Sequence, residues 1–279
     1  MGSNPSLPEA FLHLVSPSNA LLPNNSMEPT WPAGRYGLCD TSLGWPGGSS
    51  RGRWADDQSL AEEKHHGMIS KLRNQLLNQF RKPTGWLGRL NLWDMNRRHS
   101  KLTDWGLKHI AIEKHDTILD VGCGGGRTVH KLAGIATEGK VYGIDFSEES
   151  VSAARRTNTR WIKLGRVEIR LGSVSTLPFS DHMFDLVTAV ETHFFWPDLV
   201  ADMQEVLRVL KPGGKLIIIA EAYKGGKYDI QKLVGYMTNY AHLSVNEHRE
   251  LFSRAGYSDI QILEDYDKGW ICGIGRKPA

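Results

Sequence analysis

"ILDVGCGGGR", residues Ile118 to Arg127, is an apolar run that ends in four glycines within five positions. A short apolar run closing on glycines reads as a buried strand that stops in a tight turn. Glycine enters left-handed backbone at little steric cost and lets a ligand come close to the main chain. The helical text "RTVHKLAGIA" follows, so the turn sets backbone amides at a helix N-terminus, where partial positive charge gathers. The stretch predicts a strand–turn–helix that binds a ligand.

Outward from this turn, strands and helices alternate. "KVYGIDF" (140–146) is the next strand, followed by a helix over "SEESVSAARRTNTRWIKLG" (147–165). "VEIRLGS" (167–173) and "FDLVTAVET" (184–192) are the third and fourth strands. The helix "PDLVADMQEVLRVL" leads through "KPGG" into a fifth strand, "KLIIIAEA" (215–222). Near-continuous apolar strands separated by helices predict a mostly parallel sheet covered on both faces. "SDIQILEDYD" and "WICGIGRK" are joined only by Lys268-Gly269, a gap too short for a helix, so they predict an antiparallel pair. The expected fold is α/β, a doubly wound, mostly parallel sheet of seven strands with an antiparallel terminal strand.

The chain before this core reads differently. Residues 1–58 hold seven of the twelve prolines and no sustained apolar period, which predicts a disordered leader. Residues 59–112 are expected to form an N-terminal helical cap and 113–279 the core. In the cap, Ile69, Leu72, Leu76 and Phe80 recur at helical spacing, and Ser100 is the expected N-cap of a later helix. From Lys64 to Lys108 ten Lys or Arg residues face only Asp94 and Asp104, while the whole chain carries a net charge of +3. That balance predicts no nucleic-acid partner, and weak peripheral contact with an acidic membrane surface stays open. No window is apolar enough for a transmembrane segment. Cys39, Cys123 and Cys272 are too few and too far apart for a disulfide framework or metal cluster, which fits a cytoplasmic protein without a metal.

The dinucleotide fingerprint G-x-G-x-x-G fails here, because its third glycine falls on Arg127, or on Val129 if the count starts at Gly124. What stands instead is Asp120 followed by Gly122, Gly124 and Gly126. That pattern resembles motif I of the class I S-adenosylmethionine-dependent methyltransferases. "VYGIDFS" is similar to their second-strand motif, "LGSVSTLPFSDHMFDLVTAVET" to the segment that covers the adenine, and "LRVLKPGGKLIII" to their turn into strand five. The resemblance covers about residues 113–279, is nearest to the ubiquinone/menaquinone-biosynthesis-like members, and implies their Rossmann-like fold.

By that resemblance the methionine part of the cofactor, S-adenosylmethionine, lies against Gly122, Cys123, Gly124 and Gly126, with Asp120 near its ammonium group. Asp145 accepts the ribose hydroxyls, Phe146 offers a face to adenine, and Ser173, Val174 and Val190 complete the site. Ser173 stands where many relatives carry an aspartate, which weakens that contact. After strand four, "ETHFFWPD" offers Glu191 and His193 as catalytic candidates beside Phe194, Phe195 and Trp196, a mixture suited to a small organic acceptor. His193 is the expected base, on its ordinary pKa near ~6.5. His99, Tyr236, Tyr240 and His242 are further candidates for the acceptor pocket, in segments expected to form a lid. "YKGGK" (223–227) has the Tyr-x-x-x-Lys spacing of a dehydrogenase pair, but its two glycines argue against the helix that pair needs. An NAD(P)-linked oxidoreductase and a non-catalytic cofactor-binding protein remain the alternatives.

Overall fold

A computed structural model of the protein describes residues 100–229 and 240–279, all within one compact unit. The expected leader, the helix over 61–80 and the site candidates His99 and Tyr236 lie outside the described residues. The described part of the cap is helix α1 (Ser100–Leu107). After it come β1 (Thr117–Val121), α2 (Arg127–Ile135), β2 (Lys140–Asp145), α3 (Glu148–Thr157) and α4 (Thr159–Lys163). The chain continues through β3 (Val167–Leu171), β4 (Phe184–Val190), a 3₁₀ turn (His193–Phe195), α5 (Leu199–Val209) and β5 (Leu210–Glu221). It closes with α6 (Val245–Arg254), β6 (Ser258–Asp265) and β7 (Trp270–Arg276).

The seven strands form one sheet in the order β3-β2-β1-β4-β5-β7-β6. The first five are parallel, and β7 runs antiparallel between β5 and β6. Side chains alternate across the sheet, so each strand feeds two cores. Leu119, Tyr142, Val187 and Ile218 pack on one side with Met203 of α5 and Phe252 of α6. Ile118, Val141, Leu186 and Ile217 pack on the other with Val129 and Leu132 of α2 and Leu102 of α1. Strand order reverses between β1 and its two neighbours, β2 and β4. In a doubly wound sheet that switch point opens a crevice beyond the carboxyl ends of the strands.

Three local expectations change. Ser100 lies within α1, and its carbonyl and hydroxyl each accept from Lys131 Nζ at 3.0 Å instead of capping the helix. α1, the described part of the expected cap, packs directly on the sheet: a Cβ on Gly106 would meet Ile219 Cδ1 at 2.3 Å, so glycine lets the helix lie close. The helix expected over 147–165 divides at Asn158, whose buried amide donates to the carbonyls of Gly126 and Ala154, both at 2.9 Å. Finally, of the stretch expected as a lid after strand five (235–248), residues 235–239 lie outside the described residues and 245–248 open α6, which packs on the sheet through Leu251 and Phe252. None of the described helices is long and apolar enough to cross a membrane.

Candidate active site

A cleft of about 380 Å³ opens at the switch point, beyond the ends of β1, β2 and β4. Its glycine loop needs glycine for conformational reasons. Gly122, Gly124 and Gly126 have φ of 69°, 50° and 78°, left-handed values that a Cβ disfavours. A Cβ on Gly122 would also stand 2.1 Å from Thr192 Oγ1, so the loop lies directly against the turn after β4.

The loop's amides are largely committed within the protein. Those of Gly122 and Cys123 donate to the Ile144 carbonyl at 2.8 and 3.0 Å, and that of Gly124 to Asp145 Oδ2 at 2.9 Å. The Gly126 amide closes on the Cys123 carbonyl at 2.8 Å. This corrects the expectation that these amides face the ligand. What the loop offers at Gly122 and Gly124 is bare Cα surface on the cleft wall. Gly126 does not line the cleft; it sits left-handed at the N-cap of α2.

Three carboxyls line this wall. Asp120 is buried, accepts from Thr188 Oγ1 at 2.6 Å, and is pushed up to about 7 by burial; the Thr188 bond pulls it back and Asp145 adds to the rise. Asp145 at the end of β2 accepts from the Gly124 and Ser147 amides, both at 2.9 Å. Burial raises its carboxyl as well, against the pull of those amides. Glu191 takes a φ of 56° just past β4, and its Oε1 accepts from the Glu221 amide at 2.6 Å. Burial and then the Glu221 carboxyl hold it well above the usual carboxylate range.

Phe146, Cys123, Ser173, Val174, Val190 and Trp196 also line the cleft. Phe146 is 45% exposed, a large apolar face left open beside Asp145. The Cys123 thiol is buried and pushed up by burial and by Asp145 and Asp120. The Ser173 hydroxyl accepts from the Ser175 amide at 3.2 Å, which partly occupies it.

His193 is a correction. It is 2% exposed and lies off the cleft, with Nε2 3.2 Å from His248 Nε2. His248 Nδ1 lies 2.8 Å from the Ser244 carbonyl, which can only accept, so that nitrogen carries the proton. His248 Nε2 is then the acceptor, and His193 Nε2 donates to it. Burial, then His248, depresses His193 well below its ordinary value. The 3₁₀ turn has rolled it away from any acceptor, so it is not the base expected there. Phe194 and Tyr240 are likewise off the cleft, stacked on one another at 4.6 Å. His242 is paired with Asp229 at 2.7 Å, away from the cleft.

The sequence reading missed Thr103, Arg127, Thr128, Lys131 and Thr192, all of which line the cleft. Arg127 and Lys131 stand four residues apart on α2, and therefore on one face. That spacing was the available signal. Lys131 Nζ is also held by Asp104 of α1.

A family profile described as a methyltransferase domain matches residues 112–252. The uncharacterized methyltransferase YdaC of Bacillus subtilis is 30% identical over 188 residues, covering 66% of this chain and 96% of that protein. The demethylmenaquinone methyltransferase of Bacillus mycoides is 33% identical over 124 residues, which is 44% of this chain and 52% of that enzyme, so the chain spans about half of it. Among solved structures, a SAM-dependent methyltransferase from Aquifex aeolicus matches with a TM-score of 0.57 and 21% identity, over 67% of this chain and 97% of that one. With the strand order, the glycine loop and these relatives in agreement, the chain belongs to the methyltransferase-domain family and is an S-adenosylmethionine-dependent methyltransferase.

Proposed function

We propose that the acceptor is a small organic molecule, bound at the Phe195–Trp196–Pro197 end of the cleft. The observation that carries this reading is continuity. One cavity runs from the glycine loop past Asp145 to these aromatic residues, and its volume of about 380 Å³ lies low in the ~300–1,000 Å³ range of small-molecule sites.

The residues present fit S-adenosylmethionine. Asp120, buried and partly satisfied by Thr188, suits an ammonium group, and Arg127 suits a carboxylate. Asp145 keeps acceptor capacity for ribose hydroxyls, and the open face of Phe146 suits adenine. When bound, the cofactor supplies an electrophilic methyl group on a sulfonium. The protein's own work is then alignment and exclusion of water. Glu191 is the carboxyl beyond β4 able to hold or accept a proton there. Residues 59–112 and 113–279 stay our proposed cap and core, with 1–58 as a leader. Buried free thiols at Cys123 and Cys272 favour a reducing cytoplasm.

Incubating the chain with methyl-labelled S-adenosylmethionine and a panel of small aromatic and aliphatic acceptors tests the reading. Label should appear in a small product together with S-adenosylhomocysteine. Label recovered only in protein or nucleic acid would overturn it.

A further inference from the structure

The proposed cofactor recognition by Asp120 and Asp145 does not use the third carboxyl of the cleft, Glu191. Glu191 is the first residue past β4, and the neighbouring β5 ends at Glu221. Glu191 is left-handed at φ 56°, a conformation a residue with a Cβ keeps only where its surroundings dictate it. The turn sets Glu191 Oε1 2.6 Å from the Glu221 amide and yet leaves Glu191 on the cleft wall. Thr192, the next residue, presses on Gly122. Glu191 therefore lines the cleft between the glycine loop and the aromatic end and, on the proposed placement of cofactor and acceptor, stands beside the point where the two meet.

The groups around it are mostly acidic or neutral. Glu221 faces it from β5, and the Tyr240 phenol, raised by burial and by both glutamates, faces it from the segment before α6. Arg127 and Lys131 line the same cleft from α2, but Lys131 is already engaged by Asp104 and Ser100. His193, two residues on, is turned to His248.

A buried carboxyl beside another favours its neutral form, and a cation arriving nearby favours the ionised form. The methyl donor brings such a cation, its sulfonium. The demethylated product is an uncharged thioether that shares the donor's other groups. We propose that Glu191, backed by Glu221, is the residue by which the cleft distinguishes the charged donor from its uncharged product. Glu191 gives its carboxyl proton to solvent when the sulfonium arrives. When the methyl group leaves, the carbon–sulfur electron pair stays on sulfur, the cation disappears, and Glu191 takes a proton back from solvent. Product is then held without the charge pairing that held the donor.

Calorimetric titration of the full chain with S-adenosylmethionine and with S-adenosylhomocysteine, in buffers of different ionisation enthalpy between pH 6 and 9, tests this. Donor binding should release up to about one proton more than product binding. Donor affinity should gain on product affinity as pH rises, by up to about tenfold per pH unit, because at higher pH no proton has to be displaced. Asp120 and Asp145 meet groups that both ligands carry, so their protons cancel in the comparison. E191Q keeps an oxygen for the Glu221 amide and should abolish the difference between ligands. E221Q should move the pH window downward, since a charge that raises Glu191 is gone, and it decides the matter if E191Q does not fold. Equal proton counts with parallel pH curves in the wild type, or a difference that survives E191Q, would overturn the proposal.

Discussion

Thr188 Oγ1 lies 2.6 Å from Asp120 Oδ1, a hydrogen bond across the seam where β4 pairs with β1. It partly offsets the burial that lifts this carboxyl from an ordinary 3.8 to about 7. A raised acid makes the native state hold its proton longer than the unfolded chain does. Stability is therefore lost as pH rises between those two values, by at most about 4 kcal/mol. The D120N variant removes that loss. Thermal melts of the free protein should show D120N gaining on the wild type between pH 5 and 8; no relative gain refutes the assignment.

The same bond predicts a ligand effect. T188V deprives the ionised carboxylate of a donor worth about 1.5–3 kcal/mol, so Asp120 holds its proton to higher pH. S-adenosylmethionine affinity should drop about tenfold at pH 7 and recover by pH 9. Titration calorimetry at both values checks it, and a pH-independent loss would point to simple mispacking.

Asp145 and Ser173 should rank far apart. D145A removes acceptors for the ribose and also the brace on the Gly124 amide, so cofactor affinity should fall by one to two orders of magnitude. S173A removes a neutral hydroxyl already shared with the Ser175 amide and should cost under about 1.5 kcal/mol. Equal losses in the two variants would contradict the ranking.

G122A meets two separate obstacles, the left-handed φ and the Thr192 side chain. It should destabilise the fold by roughly 2–4 kcal/mol. In a double-mutant cycle with T192G, which also removes the Thr192 Cβ that would lie 2.7 Å away, only the steric share should return, leaving about 1–2 kcal/mol of backbone cost. Complete rescue would show that the backbone conformation is not at issue.

H193A should leave cofactor affinity unchanged and kcat within about threefold, because the imidazole is off the cleft. It should lower stability by about 2–3 kcal/mol, through a cavity and an unpaired His248 nitrogen. Both imidazoles are depressed, so the unfolded chain binds protons before the native state does, and this pair's contribution to stability falls as pH drops below 6.5. A hundredfold loss of kcat with intact stability would restore His193 as a base.

The glycine-loop half of the cleft was legible because its parts are local. Asp120, the glycines and Asp145 sit at strand ends whose apolar runs mark themselves, and strand direction brings those ends together. The acceptor half depends on distant chain. Nothing near His193 says that His248, 55 residues on, will take its ring. Yet α6, which carries His248, was announced by Ser244 and Glu247, a capping box that the structure forms in full. Arg127 was noticed only as a missing third glycine. Its pairing with Lys131 needed a wheel drawn on a helix already predicted.

β7 follows β6 in the chain, yet it lies inside β6 in the sheet, hydrogen-bonded to β5 on one side and β6 on the other. During synthesis, β6 therefore has no strand partner among the described residues until those past 270 emerge, about 0.5–2 s later at ~5–20 residues per second. Until then β5 is a bare, strongly apolar edge, the kind of surface that recruits other nascent strands. A frameshift or stop codon near Lys268 would strand both β5 and β6, although the whole cofactor cleft had already been translated.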